Sequence, residues 1–165
     1  MSLSSETLRN MYYNLTNKEK NRMMRLGCDT NNDGTIQFNE FKSYMDLMKY
    51  AQERANKYIC KYKPSIPIAI LKTDLQRNLE KEKGVKEFED QLIYFNQAFN
   101  IANNWKNSGN SNTVNYTNKT CDGNSNTTSV AFHDREQGDD DNLNYGELVD
   151  FFHMFRFLKN RKLLS

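Results

Sequence analysis

Six oxygen-bearing residues are spaced through a twelve-residue stretch in a pattern that suits a divalent metal ion. They occupy alternating positions and then the last position: Asp29, Asn31, Asp33, Thr35, Gln37 and Glu40. Ca²⁺ is a hard cation that takes six to eight oxygen ligands at about 2.3–2.6 Å, and a tightly wound segment of this length can supply them. Because three of these side chains are carboxylates, the stretch predicts a site that attracts a cation.

The order of residue types within the stretch assigns a role to each position. The first three are expected to give one side-chain oxygen each, the fourth its backbone carbonyl, and the fifth a ligand or a bridging water. Glu40, the twelfth residue, would close the shell with both carboxylate oxygens. Gly34 stands where the chain must turn at positive φ, which a side chain resists. Ile36, in eighth place, is expected to form a short strand against a partner loop.

Residues 16 to about 50 resemble an EF-hand, the helix–loop–helix unit of the calmodulin-like superfamily. The stretch 29–40 agrees with the pattern D-x-[DN]-x-[DN]-G followed by five residues and Glu. Thr16 and Glu19 have the spacing of a capping box, which predicts a helix over 17–28 before the loop. The resemblance implies an all-α, calmodulin-like fold of EF-hand units, with short antiparallel strand pairing between loops and Ca²⁺ as the bound ion.

Apolar residues at helical spacing predict further helices along the chain. The expected helices cover residues 4–14, a segment of about 25 residues after the loop that ends before Pro64 or breaks near Ala51, and residues 68–83, 86–104 and 145–160. Residues 103–128 are rich in Asn, Ser, Thr and Gly, so we expect a mobile insertion there. The predicted organisation is a region 1–63 with the complete hand, a linker and helix 64–85, and a region 86–165.

A second, degenerate EF-hand loop is predicted over residues 136–147. Its candidate ligands are Glu136, Asp140, Asn142, Asn144 and Glu147. It departs from the family pattern because Gly138 offers no side-chain oxygen and Asp141 replaces the turn glycine. Either this loop binds metal or it is kept for packing. Either two further EF-hand units have lost their metal-ligating residues, or the helices 86–104 and 145–160 flank a single loop widened by the insertion.

Composition and sequence signals restrict the class of protein. The chain has 23 Lys and Arg against 21 Asp and Glu, whereas a nucleic-acid-binding protein would show a concentrated basic surplus. No apolar run approaches the roughly 20 residues that span a bilayer, and the N-terminus lacks the layout of a signal peptide. Cys28, Cys60 and Cys121 have no metal-binding spacing. We therefore expect a soluble cytoplasmic protein with free thiols.

These observations favour a Ca²⁺ sensor that recognises an amphipathic target helix through an apolar groove. A Ca²⁺ buffer resembling sarcoplasmic calcium-binding proteins is one alternative, and a light-chain-like structural subunit is another. In a light-chain-like subunit, the phenylalanine-rich helices 86–104 and 145–160 would hold a partner helix. His133 and His153 accompany no nucleophile elbow, phosphate loop or zinc motif, so we expect no enzymatic activity. The sequence leaves the oligomeric state open.

Overall fold

A computed structural model describes residues 4–64, 69–103, 112–119, 121, 125–132 and 142–164, and this part of the chain is mostly helical. The helices are α1 (Ser5–Tyr13), α2 (Asn17–Arg25), α3 (Phe38–Tyr62), α4 (Lys72–Lys83), α5 (Val85–Asn103) and α6 (Tyr145–Leu164). The strands are β1 (Ile70–Leu71), β2 (Asn112–Lys119), β3 (Ser125–Phe132) and β4 (Asn142–Leu143). No helix within these ranges is both long enough and apolar enough to cross a membrane.

The helices that flank the 29–40 loop begin at side-chain caps, as the sequence predicts for the first of them. The Thr16 hydroxyl accepts a hydrogen bond from the Glu19 backbone amide, and the Glu19 carboxylate accepts from the Thr16 amide. This capping box satisfies amides that would otherwise lack partners at the start of α2. Helix α3 continues without a break past Ala51 until Lys63, which adopts a left-handed conformation just before Pro64. The unbroken alternative is therefore correct.

Phenylalanine side chains of α5 and α6 form the centre of the hydrophobic core. Phe95 of α5 lies edge-on to Phe151, with ring centroids 5.3 Å apart, and Phe151 stacks on Phe155 at 5.4 Å. Aromatic pairs in these arrangements contribute about 0.5–1.5 kcal/mol beyond their area burial. The same cluster of buried residues includes Met23 of α2 and Phe41 of α3. The loop 29–40 thus lies between helices that share a core with the C-terminal half.

A short antiparallel pairing joins two connections, but it is not the one expected for Ile36. Strand β1 pairs with β4 in the register Ile70 to Leu143 and Leu71 to Asn142. Leu143 is the eighth residue of the degenerate loop, and it is completely buried. Ile36 is outside any strand. In chain order, the connection between α5 and α6 contains β2, β3 and β4. Whether two further hands have decayed or one loop is widened stays a prediction.

The described residues of the predicted insertion 103–128 include strands that the sequence did not predict, whereas the mobility of this segment stays a prediction. Strands β2 and β3 form an antiparallel hairpin that runs from the Asn112–Phe132 pair to the Lys119–Ser125 pair. An isolated two-stranded hairpin is only marginally stable in water. Here a disulfide between Cys60 of α3 and Cys121 attaches the hairpin to the helical core. The polar composition did not predict this structure, because the disulfide that stabilises it joins residues 61 positions apart.

The disulfide also corrects the expectation that all the thiols are free. Among the cysteines, only Cys28 is a free thiol, and it is buried. An odd number of cysteines gave no pairing from sequence, because pairing depends on which residues the fold brings together. Disulfides persist mainly in oxidising compartments. The cytoplasmic location expected from the N-terminal sequence therefore stays a prediction without support from the thiols.

Breaking the Cys60–Cys121 disulfide should destabilise the protein. Cross-linking residues 61 positions apart lowers the entropy of the unfolded chain, and the loop-closure estimate is about 4 kcal/mol at most. We expect Cys121→Ser to lower the free energy of unfolding, as measured by urea denaturation. Adding a reductant should destabilise the wild type and leave Cys121→Ser unchanged. An equal effect of reductant on both proteins would show that the disulfide does not form.

Candidate metal site

The structure brings together the three carboxylates that the sequence assigns to the metal site. Asp29, Asp33 and Glu40 each offer an oxygen that lies within 4.8 Å of the others, and they form the one such cluster of metal-ligating side chains in the described part of the chain. Two like charges 4 Å apart repel by about 1 kcal/mol in bulk water and more near a protein surface. A bound cation would replace this repulsion with attraction, so the cluster fits a divalent ion.

Hydrogen bonds within the loop wind it around the carboxylates. Asp29 accepts from the backbone amide of Gly34 at 2.9 Å and from that of Asp33 at 3.3 Å. Gly34 has a φ of +83°, as its position in the sequence predicts. These bonds turn the first half of the loop back on its first residue. The chain thereby places Asp29 and Asp33 on the same side.

The remaining polar residues of the loop point toward this cluster or support it. Asn31 accepts from the Asp33 amide through its side-chain oxygen at 3.3 Å. The Thr35 amide and hydroxyl both donate to Asp33, at 2.9 and 3.1 Å, and the Gln37 side-chain amide donates to the other Asp33 oxygen at 3.0 Å. The bond from the Thr35 amide contributes most to a lowered pKa of Asp33. Asp33 is therefore held in its charged form.

Glu40 connects the end of the loop to its beginning. Its Oε1 accepts from the Gln37 amide at 2.9 Å, and its Oε2 accepts from the amide and the hydroxyl of Thr30 at 2.8 and 3.1 Å. Glu40 is only 5% exposed. These hydrogen bonds lower the pKa of its carboxyl, and the bond from the Gln37 amide has the largest effect. A buried carboxylate needs such partners to stay ionised. Glu40 thus caps α3 and keeps a negative charge at the cluster.

Helix α1 covers the loop where a partner loop was expected. The Tyr12 hydroxyl donates to the backbone carbonyl of Ile36 at 2.7 Å. The Tyr12 ring also contacts Phe38 and Phe41, with centroids 5.6 and 5.8 Å apart. Ile36 is therefore held by a side chain of α1. A hydroxyl donor of this kind has no sequence signature, so the contact could not be predicted.

Comparison with known proteins adds no identification to this geometry. No protein-family model matches the chain, and no curated protein or solved structure gives a significant match. The resemblance to the EF-hand superfamily therefore rests on the sequence pattern of residues 29–40 and its flanks.

The second predicted site is only partly within the described residues. Glu136 and Asp140 lie outside them, whereas Asn142, Asn144 and Glu147 lie inside. The Asn144 amide donates to the Glu147 carboxylate, and the Glu147 amide donates to the Asn144 side-chain oxygen, both at 2.9 Å. This reciprocal cap starts α6 as Gln37 and Glu40 start α3. The described part of the loop thus supports a packing and capping role, and metal binding there stays a prediction.

A buried polar cluster behind the loop joins α2, α3 and α6, and sequence reasoning missed it. Arg22 of α2 forms an ion pair with Asp150 of α6 and donates a hydrogen bond to the Tyr44 hydroxyl of α3 at 3.1 Å. Burial raises the pKa of Asp150, while Arg22 and then Arg25 act in the opposite direction. Breaking a buried ion pair by removing one partner typically costs 3–5 kcal/mol. The cluster therefore fixes the positions of α2 and α3 on α6.

Two residues at the start of the loop also approach α6 and Glu40 closely. Gly27 has a φ of +83°, and a Cβ at this position would lie 2.8 Å from the Phe157 ring. The Cys28 thiol donates to the Glu40 carbonyl at 3.5 Å, and burial, with the nearby Glu40 and Asp29 charges, raises its pKa to about 12. Cys28 therefore stays a protonated thiol. This agrees with its absence from the metal-ligand pattern.

His153 should make the protein less stable at mildly acidic pH. Burial, together with Arg22, lowers the pKa of this 1% exposed imidazole to about 3. The unfolded chain takes up a proton near pH 6.5 and the folded chain does not, so stability falls by about 1.4 kcal/mol per unit as pH drops through this window. As pH falls from 6 to about 4, we expect the free energy of unfolding to decrease more for the wild type than for His153→Leu, as measured by urea denaturation. Parallel pH curves for the two proteins would contradict this.

Proposed function

We propose that the protein binds Ca²⁺ through the loop 29–40 and that the ion sets the angle between α2 and α3. The observation that carries this proposal is the convergence of the Asp29, Asp33 and Glu40 carboxylates within 4.8 Å. Asn31, Thr35 and Gln37 stand at the positions that would complete an oxygen shell. The chemistry that the ion supplies is electrostatic, because it neutralises three carboxylates that the fold holds together. Glu40 is the first residue that would move with α3 when the ion binds or leaves.

Calcium fits this loop better than magnesium. Mg²⁺ requires near-ideal octahedral geometry at about 2.0–2.1 Å and keeps several waters, whereas Ca²⁺ accepts a bidentate glutamate and a flexible shell. Glu40 has one more methylene than aspartate and can present both oxygens. Three acidic ligands place the expected affinity in the sensor range, with a Kd of roughly 10⁻⁷–10⁻⁵ M.

The sensor role is supported by a groove beside the loop. We call it the α1 groove; its apolar lining residues are Tyr12, Tyr13, Leu15, Met24 and Ile36. The Tyr13 side chain is 71% exposed and Met24 is 37% exposed, so the groove presents apolar surface to solvent. Because Ile36 belongs to the loop, a movement on ion binding would change this groove directly. An amphipathic helix is the partner that this shape and chemistry suit.

Two of the alternatives receive less support. Phe95 and Phe151 are completely buried against each other, so these phenylalanine side chains are not available for a light-chain-like grip on a partner. Within the described ranges, one carboxylate cluster in a chain of 165 residues gives little capacity for a buffer. Neither finding bears on ion binding itself.

A resident structural ion is a second candidate function, and the Cys60–Cys121 disulfide favours it. Oxidising compartments outside the cytosol hold calcium at high concentration, and extracellular modules bind it with a Kd of about 10⁻⁴–10⁻³ M. A site of that affinity would be permanently filled there. The ion would then stiffen the α2–α3 unit and would not report a signal.

Replacing Glu40 with Gln should abolish high-affinity Ca²⁺ binding. The substitution removes one charge and weakens bidentate coordination, so we expect Kd to rise at least about 100-fold, or about 2.7 kcal/mol. Isothermal calorimetry measures the affinity and the number of sites. The matched control is Glu89→Gln on the exposed surface of α5, which should bind as the wild type does. Equal affinity of Glu40→Gln and the wild type would overturn the proposal.

A hydrophobic dye should distinguish a sensor from a resident ion. If the protein is a sensor, Ca²⁺ should increase dye fluorescence in the wild type, and Met24→Ser in the α1 groove should reduce the increase. Tyr50→Ser, an exposed position on α3 away from this groove, serves as the control. A Kd in the range of 10⁻⁴–10⁻³ M with no fluorescence change would instead support the structural ion.

A further inference from the structure

A pocket that contains no residue of the loop 29–40 is lined by four cationic side chains from three helices. We call it the basic pocket; its cations are Arg54 of α3, Lys83 of α4, and Arg156 and Lys159 of α6. Tyr50, Leu79, Phe152 and Phe155 form the rest of its lining. Arg156 and Lys159 are close together in the sequence of α6. The contribution of α3 and α4 depends on tertiary packing.

Aromatic rings hold these cations in place. The Lys159 ammonium lies 4.3 Å from the centre of the Phe155 ring, and the Lys83 ammonium lies 5.8 Å from the same centre. The Arg54 guanidinium lies 4.9 Å from the Phe152 ring centre. Cation–π contacts of this kind contribute about 0.5–2 kcal/mol each. They limit the freedom of the cations to move apart into solvent.

The charges of the basic pocket are only partly balanced by protein carboxylates. Arg54 forms an ion pair with Glu82, which also pairs with Lys61. Among residues that the structure describes, no carboxylate lies within ion-pair distance of Lys83, Arg156 or Lys159. Burial lowers the pKa of Lys159 to about 8, and Lys83 and the two arginines act in the same direction. Three positive charges therefore lack a carboxylate counter-ion among the described residues.

The ordinary explanation for basic residues at these places is the helix dipole. Lys83 is in the last turn of α4, where a cation gains about 0.3–1 kcal/mol, whereas Lys159 lies more than one turn before the end of α6. The dipole therefore explains Lys83 on its own helix. It does not explain why the two lie over one ring with Arg156 beside them, since bringing like charges together is unfavourable.

We propose that the basic pocket binds an oxyanion of the phosphate class. Guanidinium groups donate paired hydrogen bonds to phosphate oxygens, and ammonium groups neutralise its charge. The phosphate is either free in solution or part of a phospholipid headgroup. This site is separate from the loop 29–40 and stands whether or not that loop binds Ca²⁺.

Titration with inorganic phosphate, followed by amide and side-chain NMR at constant ionic strength, tests this proposal. We expect saturable shifts around Phe155 in the wild type, with at least about tenfold weaker binding in Lys83→Met and Lys159→Met. Lys86→Met, an exposed lysine on α5, is the matched control and should bind as the wild type does. Thermal unfolding without phosphate verifies that each variant folds.

Phosphatidylcholine vesicles with and without phosphoinositide distinguish the two sources of phosphate. Binding only to phosphoinositide-containing vesicles, with loss in Lys159→Met, would assign the headgroup as the source. Saturation by inorganic phosphate without vesicle binding would assign the free anion. Three results would overturn the proposal: no saturable response to either probe, an equal response to chloride, or equal weakening in the Lys86→Met control.

Discussion

The carboxylate of Glu40 is the group on which the arrangement of the first helix–loop–helix unit depends. It accepts hydrogen bonds from Gln37 at the start of α3 and from Thr30 at the start of the loop. It also stands beside Asp29 and Asp33 in the acidic cluster. One side chain therefore closes the loop, caps a helix and contributes charge to the candidate metal site.

The unit formed by α2, the loop 29–40 and α3 is fixed to the rest of the protein by both polar and apolar contacts. The buried Arg22–Asp150 pair and the Tyr44 hydroxyl join α2 and α3 to α6 behind the loop. In front of it, Tyr12 of α1 covers Ile36. A loop movement would therefore act on a rigid, desolvated contact on one side and on a partly exposed groove on the other. Since buried ion pairs resist rearrangement, we infer that the α1 side is the more responsive of the two.

The C-terminal half combines a packed aromatic core with an appended hairpin and a basic surface. Phe95 and Phe151 pack α5 on α6, and the β1–β4 pairing holds the connections at one end. The Cys60–Cys121 disulfide attaches the hairpin to α3. The same α3 contributes Arg54 to the basic pocket and Glu40 to the acidic cluster. One continuous helix thus carries residues of two oppositely charged sites.

Features that depend on neighbouring residues could be predicted from the sequence alone. Apolar spacing gave the helices within a few residues, the Thr16–Glu19 spacing gave the cap of α2, and ligand order gave the carboxylate cluster and the positive φ of Gly34. Three contacts depend on the tertiary fold: the Ile70–Leu143 strand pair, the Cys60–Cys121 disulfide and the Arg22–Asp150 ion pair. These contacts join residues that are 61 or more positions apart. Their formation depends on how the helices pack together, and this packing cannot be predicted from local periodicity.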